Sequence, residues 1–479
     1  MAETDGPPKR SAAARRTLTD VFPFGAAPLI ILLCTLVAGG YLALNPIDDD
    51  SHTIELWTFT NNHYDAYVQA APSFEREHST PDRPVSLGLE LVHQQAVTNR
   101  LRAAFRANLD VPDLVEVEIT QAGSFFTGPV EDIGFIDLTP FLKRSGLLDR
   151  MVRTRFTPYT NRGRIYGMPH DVHPVMLAYR ADLFAELGID ANELTTWKKF
   201  IEAGRRVTVD QGGRDDRFML NLSHSAAYSV EVLLFQRAGR QPDGSIRHAG
   251  YFDPNGEVIL DNEIAVDVVS WYVPLLVGEG RIADDPGMFG APWVRSVEEG
   301  YCLAFICPDW KSRATEKQIS SMAGKMKLMP LPAFYPGGRR TSTWGGTMLG
   351  ITRRSPDKQL TWEFAKHIYT DPNRLQDLFR ETNIIPPLKD AWGLPAYQER
   401  NPYWSGQRLG RLYVSLADDV PPQYGSPYLE LAKGELGTVI ADTVAYYGAN
   451  GEEGFREYVR SRLKRAADVV RRQMRRNPF

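Results

Sequence analysis

The chain contains few cysteines, no large excess of charge of one sign and, beyond its first 50 residues, no long hydrophobic run. Three cysteines in 479 residues cannot build a disulfide framework, which excludes a disulfide-stapled scaffold. Lysine and arginine total 55 against 59 aspartate and glutamate, a formal charge of −4, so no basic field indicates a nucleic-acid partner. Hydrophobic residues make up 43% and charged residues 24%, as in ordinary globular proteins. At this length two or more packed bodies are expected.

Two of the cysteines, Cys302 and Cys307, lie in one apolar run at residues 301–307. A disulfide between them is one interpretation for an oxidising compartment. Two buried free thiols on a single strand are the favoured interpretation, because free cysteine is among the most buried residue types.

The only long hydrophobic run lies near the N-terminus, at residues 26–44, inside an uncharged stretch at 21–47. About 20 apolar residues in a helix span a bilayer, and basic residues stay on the cytoplasmic side. Residues 48–50 are acidic, and the basic residues that precede the run are Lys9, Arg10, Arg15 and Arg16. We therefore predict a cytoplasmic tail at 1–25, a single transmembrane anchor or uncleaved signal at 26–45, and a body on the periplasmic or extracellular side of the bacterial inner membrane.

Three alternatives for this segment stay open. Cys34 could accept a lipid, although Leu33 stands where a small residue is expected before such a cysteine. Arg15 and Arg16 could begin a twin-arginine signal. Cleavage near Ala38 would release the body from the membrane.

Strand and helix patterns alternate along the first part of the body. Residues 53–59, 85–92 and 113–119 alternate apolar and polar positions as strands do, and residues 64–78 and 95–107 have helical spacing. This order indicates βαβ units and an α/β fold with a largely parallel sheet. Ligands gather at the carboxyl ends of such strands. Asn61, Asn62 and His63 follow the predicted first strand there, and Glu118 and Thr120 lie at the end of the predicted third strand.

The second part of the chain contains further strand patterns at residues 164–169, 175–180 and 301–307, with helical patterns between them. No long low-complexity linker separates the parts, so the chain is expected to cross between two lobes several times. Residues 456–476 form a basic amphipathic helix pattern. A solvated helix face is the favoured interpretation of its charge, and contact with anionic lipid headgroups is the alternative.

Several short motifs follow one another in a fixed order. They are Gly167-Met-Pro169, Tyr179-Arg180, the run from Leu233 to Gly239, Asp309-Trp310, and Ser342-Thr-Trp-Gly-Gly346. In this order the chain resembles the extracellular solute-binding proteins of ABC importers, in their carbohydrate-type, maltose-binding-protein-like branch, over about residues 54–470. The resemblance implies a two-lobed periplasmic-binding-protein fold with a hinge and a central cleft. It places lobe 1 at 53–169 plus 348–384 and lobe 2 at 170–347 plus 385–479.

The resemblance also implies a function. The expected ligand is a mono- or oligosaccharide, and the expected partners are ABC permease subunits in the membrane. No cofactor, metal or enzymatic activity is expected. The sequence itself carries no HExxH motif, P-loop or nucleophile elbow, although its many carboxylates leave a membrane-anchored glycan-processing enzyme open as an alternative. A binding protein for a polar non-sugar ligand is a further alternative.

A sugar presents apolar faces to aromatic rings and hydroxyls to planar polar groups. The predicted aromatic contacts are Trp57, Trp310, Trp344 and Tyr428, with Gly345 and Gly346 allowing close backbone approach. The predicted polar contacts are Asn61, Asn62, His63, Glu118, His170, Asp171, His173 and Asp309. Each of these side chains has an alternative role, as core packing for the rings and as a helix cap or a solvated surface group for the polar residues.

Overall fold

The structure, a computed structural model, describes residues 27–44, 53–209, 217–241 and 243–476. Two units make up the chain, one at 1–52 and one at 53–479. Within the first unit, Ala27–Leu44 is a helix of 18 residues, and the predicted cytoplasmic tail lies outside the described residues. Among the described residues no helix is both long and apolar enough to cross a membrane, so the predicted transmembrane span is not confirmed.

The second unit is a mixed α/β body. Its strands are β1 (Ile54–Thr58), β2 (Leu87–Leu91), β3 (Leu114–Glu118), β4 (Thr160–Asn161), β5 (Arg164–Ile165), β6 (Met168–Pro169), β7 (Val175–Arg180), β8 (Phe218–Asn221), β9 (Gly239–Arg240), β10 (Ile246–Arg247), β11 (Ala283–Asp284), β12 (Cys302–Pro308), β13 (Met326–Pro330) and β14 (Thr347–Ile351). Its α-helices are Asn61–His78, Gln94–Ala107, Ile119–Ala122, Thr139–Arg144, Leu147–Arg150, Ala181–Glu186, Trp197–Val209, Ala227–Arg237, Glu263–Tyr272, Gly290–Glu299, Asp309–Gln318, Lys358–Thr370, Pro372–Thr382, Leu409–Ala417, Leu429–Asn450 and Phe455–Arg476.

Two five-stranded sheets form the centres of two lobes. The first sheet has the order β2-β1-β3-β14-β6, in which β1, β2 and β3 are parallel and β14 is antiparallel to β3 and β6. The second has the order β11-β8-β12-β7-β13, in which β11, β8 and β12 are parallel and β7 is antiparallel to β12 and β13. The predicted α/β class with two lobes is confirmed.

Most predicted elements occur within a few residues of their expected bounds, and two differ for local reasons. The strand expected at 164–169 is divided into β5 and β6 around Gly167. A Cβ atom at Gly167 would lie 2.6 Å from the Met348 side chain, so the backbone passes very close to β14. The helical pattern at residues 262–276, one of those between the later strands, gives a helix that ends at Tyr272, because Pro274 cannot continue an α-helix and the chain turns into a short 3₁₀ segment.

The last two helices cover the second lobe. Helices Leu429–Asn450 and Phe455–Arg476 pack against each other, and the second also packs against Glu263–Tyr272. Two basic side chains of the last helix, Arg456 and Arg460, pair with Glu263, which favours the solvated-face interpretation of its charge over lipid contact.

The two cysteines of β12, Cys302 and Cys307, are free and buried, as the favoured interpretation predicted. Burial raises the pKa of each thiol to about 12, so both stay protonated and unreactive at neutral pH.

Candidate functional site

The carboxyl edges of the two sheets are joined by two crossing segments. The first, residues 170–174, leads from β6 into β7, whose first residue pairs with Pro308 at the end of β12. The second, residues 343–346, leads into β14, whose first residue pairs with Glu118 at the end of β3. Both segments therefore connect strand ends of the kind where α/β proteins bind ligands. The region between these two edges is the candidate ligand site.

Four aromatic side chains lie beyond the strand ends of the second sheet, and we call Tyr228, Phe289, Trp310 and Trp344 the aromatic cluster. The rings of Tyr228 and Trp344 stack with centroids 5.4 Å apart and planes 7° apart. Trp310 meets Trp344 edge-on at 5.4 Å and donates its indole N–H to the Trp344 carbonyl, 3.1 Å away. Phe289, 41% exposed, lies 6.1 Å from Trp310. Trp310 is half-buried, whereas Trp344 is only 7% exposed, so the cluster has an accessible side and a core side.

Lys311 lies on the core side of the aromatic cluster. Its Nζ atom is 5.0–5.6 Å from the ring centroids of Trp293, Phe305, Phe289 and Trp344. The residue is 1% exposed, and no carboxylate within the described chain forms an ion pair with it. Burial lowers the pKa of the Lys311 ammonium to about 7. Cation–π attraction to four rings is its main stabilising interaction there.

Charged groups from both lobes also lie near one another in this region. Glu118, at the end of β3, accepts a hydrogen bond of 2.8 Å from the Thr120 N–H, and burial raises the pKa of its carboxyl above the usual value. On the second lobe, Lys433 pairs with the buried Glu231 at 3.1 Å. Burial lowers the pKa of Lys433, but the nearby carboxylates of Glu231 and Glu118 outweigh this and raise it overall. These groups can donate to and accept from a polar ligand.

A buried ionic network joins the two crossing segments, and we call it the hinge network. Asp171 accepts hydrogen bonds of 2.9 Å from Arg155 Nη2 and from the Thr347 N–H, and lies 3.2 Å from His173 Nε2. His173 Nδ1 contacts Asp309 Oδ1 at 2.6 Å. Arg155 also donates to the Gly345 carbonyl at 3.0 Å. The side chain of Asp171 therefore connects the first crossing segment to the second.

Opposite charges set the protonation of this network. Burial alone would lower the pKa of His173, yet Asp171 and Asp309 raise it to about 9. Burial alone would raise the pKa of Asp171, yet His173 and Arg155 hold it well below its usual range. At neutral pH the network thus contains a protonated imidazole between two carboxylates.

The amino-acid sequence also matches the model of a known protein family. The family model described as "Bacterial extracellular solute-binding protein" matches residues 63–374, more than half of the chain. The chain belongs to the bacterial extracellular solute-binding proteins.

Two named relatives and a solved structure are similar to this chain over most of their length. The arabinooligosaccharide-binding protein of Halalkalibacterium halodurans is 25% identical over 405 residues, 83% of this chain and 86% of the relative. The protein of the same name from Bacillus subtilis is 24% identical over 402 residues, 83% of this chain and 88% of the relative. Among solved structures, the sugar-binding protein MalE from Xanthomonas citri has a TM-score of 0.69 and 18% identity, covering 88% of this chain and 98% of that one.

The residues predicted as ligand contacts fall into separate places in this solute-binding fold. Glu118, Trp310 and Trp344 lie in the region between the lobes. Asp171, His173, Asp309 and Gly345 belong to the hinge network, and Gly346 beside them accepts a hydrogen bond from the Ile119 N–H at 2.8 Å. His63 and His170 lie together in the first lobe, their ring centroids 3.9 Å apart.

The remaining four predicted residues belong to none of these three groups. Trp57 packs partly buried beside the core of the first lobe, with the Arg100 guanidinium 5.8 Å from its ring. Asn61 is exposed on the first turn of its helix, and Asn62 accepts a 3.4 Å hydrogen bond from Lys317 of the second lobe. Tyr428 directly precedes the helix Leu429–Asn450.

Several site residues were missed by sequence reasoning, and Tyr228 shows why. It lies in the first turn of the helix that follows β8, so the rule that selected Asn61 after β1 applies to it as well. The strand β8 has only four residues and was not predicted, which left Tyr228 without a strand end to follow. Glu231 and Lys433 are 202 residues apart, and no local pattern brings them together.

Proposed function

We propose that this protein is the substrate-binding component of an ABC importer. It captures an oligosaccharide between its two lobes and delivers it to permease subunits in the membrane. The observation that carries the proposal is the aromatic cluster of the second lobe, placed at the same interlobe region as the half-buried Glu118 of the first. Aromatic rings suit the apolar face of a sugar ring, and carboxylate and ammonium groups suit its hydroxyls.

Closure of the lobes follows from this arrangement. A ligand that contacts both lobes stabilises the closed state by the free energy of those additional contacts. The crossing segments at 170–174 and 343–346 are where the backbone would bend. The proposed contacts on the second lobe are Trp310, Tyr228 and the Glu231–Lys433 pair, and the proposed contact on the first is Glu118.

We expect titration with arabino-oligosaccharides, the ligands in the names of two relatives, to change the tryptophan fluorescence and raise the unfolding temperature. Trp310 and Trp344 lie at the proposed site, and a ligand that binds only the folded state stabilises it by mass action. The panel should also contain malto- and galacto-oligosaccharides. Product analysis of the same samples should show no hydrolysis, because the proposed role is binding. If no glycan of the panel shifts either signal, the carbohydrate proposal fails.

Two tryptophan variants provide the control for this titration. Trp310→Ala removes a half-buried ring and should weaken binding roughly tenfold to a hundredfold, or about 1–3 kcal/mol. Trp344→Ala removes a buried ring that stacks on Tyr228, so it should cost stability as well, on the order of 3–5 kcal/mol. Unchanged affinity in a folded Trp310→Ala protein would remove that ring from the site.

We further propose that the N-terminal segment directs the body out of the cytoplasm and retains it at the membrane. The apolar helix Ala27–Leu44 stands between basic residues and three aspartates, the charge order of an exported chain. We expect cell fractionation to recover the protein with the cytoplasmic membrane, and N-terminal analysis to find residues 29–33 still present. A soluble form that begins near Gly40 would show cleavage and contradict retention.

A further inference from the structure

Three buried side chains with metal-binding atoms converge in the first lobe, outside the proposed ligand site. His63 lies in the first turn of the helix Asn61–His78, Glu116 in the middle of β3, and His170 in the first crossing segment. One ligand atom from each lies within 4.8 Å of the other two. Their exposed fractions are 4%, 0% and 3%, so water does not solvate them. We call these three residues the histidine–glutamate cluster.

His170 is the least satisfied member of this cluster. Neither of its ring nitrogens has a hydrogen-bond partner within the described chain. The nearest carboxylate oxygen to its Nδ1 atom belongs to Asp171, at 3.7 Å, beyond hydrogen-bond range. Burying a polar group without a partner costs free energy, and such groups are rare in folded proteins. A bond from one imidazole nitrogen to a ligand would remove this cost.

Glu116 is held in a fixed orientation by residues around the cluster. The hydroxyls of Tyr67 and Tyr369 donate to its Oε1 atom, and the Thr58 hydroxyl donates to its Oε2 atom. His63 Nδ1 lies 2.9 Å from the same Oε2 atom. These contacts occupy both carboxylate oxygens, so an ion would take the place of the His63 contact on Oε2 while the three hydroxyls keep the carboxylate oriented.

We propose that His63, Glu116 and His170 bind a divalent transition-metal ion of the Zn²⁺ type. Two imidazole nitrogens and one carboxylate oxygen form a ligand set that suits zinc, whereas calcium and magnesium require mostly oxygen ligands. The carboxylate and His63 come from the first lobe, and His170 begins a segment that crosses to the second. A bound ion would therefore fix the start of that crossing segment to the first lobe.

The test uses the full chain without an affinity tag, stripped with a chelator and then dialysed against a limited concentration of Zn²⁺. We expect elemental analysis to find one zinc ion per chain, and competition with a chromogenic chelator to give its affinity. Binding should also raise the unfolding temperature, because the ion binds the folded state. Replacement by Co²⁺ should give the visible absorption of a four-coordinate cobalt site with nitrogen and oxygen ligands.

Variants then assign the ion to these residues. His170→Ala and His63→Ala should each lower zinc affinity by more than about tenfold, since loss of even an outer partner of a ligand costs that much. His93→Ala and His248→Ala, at exposed positions, should leave affinity unchanged and serve as matched controls. The proposal is overturned if the wild-type chain binds no zinc, or if His170→Ala, checked as folded by circular dichroism, binds it as the wild type does.

Discussion

Replacing Lys311 by Met is expected to raise the free energy of unfolding at pH 7 by roughly 2–4 kcal/mol. The Lys311 ammonium is buried among aromatic rings, and burial lowers its pKa from 10.5 to about 7. The unfolded chain binds this proton tightly at pH 7, whereas the folded chain has to release it or bury the charge. Each unit of pKa difference corresponds to about 1.4 kcal/mol. Methionine keeps the unbranched shape and removes the charge.

The pH dependence of the free energy of unfolding tests whether the lowered pKa of Lys311 causes this gain in stability. A group whose pKa is lowered on folding makes stability rise with pH, here between about 7 and the unfolded value of 10.5. The advantage of Lys311→Met should therefore shrink as the pH approaches 10, in denaturant unfolding measured on both proteins. Lys325→Met, at an exposed position, should change stability by no more than about 0.5 kcal/mol. If Lys311→Met is less stable than the wild type, the rings around Lys311 stabilise its ammonium in the buried position and the prediction is wrong.

Local patterns predicted the elements of this fold well. Period-two alternation identified β1 and β3 almost to the residue, and the continuous apolar run at 301–307 identified β12 as a buried strand. These patterns report burial on one or two faces, which each strand expresses in its own sequence. The motif order added the two-lobed arrangement, which periodicity alone does not specify.

The contact partners of the site residues could not be predicted from local sequence patterns. Asp171 and His173 were predicted as polar ligand contacts, yet their partners Arg155 and Asp309 lie 16 and 136 residues away. His170 and His173 are close in sequence. In the structure His170 instead lies beside His63, more than 100 residues away. Long-range pairing of this kind depends on topology, and topology has no local signature.

Replacing Asp171 by Ala is expected to lower the free energy of unfolding by about 3–5 kcal/mol. Asp171 is 1% exposed and accepts hydrogen bonds from Arg155 and from the Thr347 N–H. Its removal would leave a buried guanidinium with its charge uncompensated and a buried N–H without an acceptor. It would also remove the side chain that connects the first crossing segment to the second.

The same substitution at an exposed ion pair is the matched control. Asp149, paired with Arg153 at the surface, is 74% exposed, and Asp149→Ala should cost no more than about 1 kcal/mol. A double variant separates the free-energy cost of the uncompensated Arg155 guanidinium from the cost of the lost hydrogen bonds. Adding Arg155→Met to Asp171→Ala removes the uncompensated guanidinium and should recover part of the loss, a coupling of about 0.5–3 kcal/mol. If Asp171→Ala costs no more than Asp149→Ala in denaturant unfolding, the hinge network does not hold the crossing segments together.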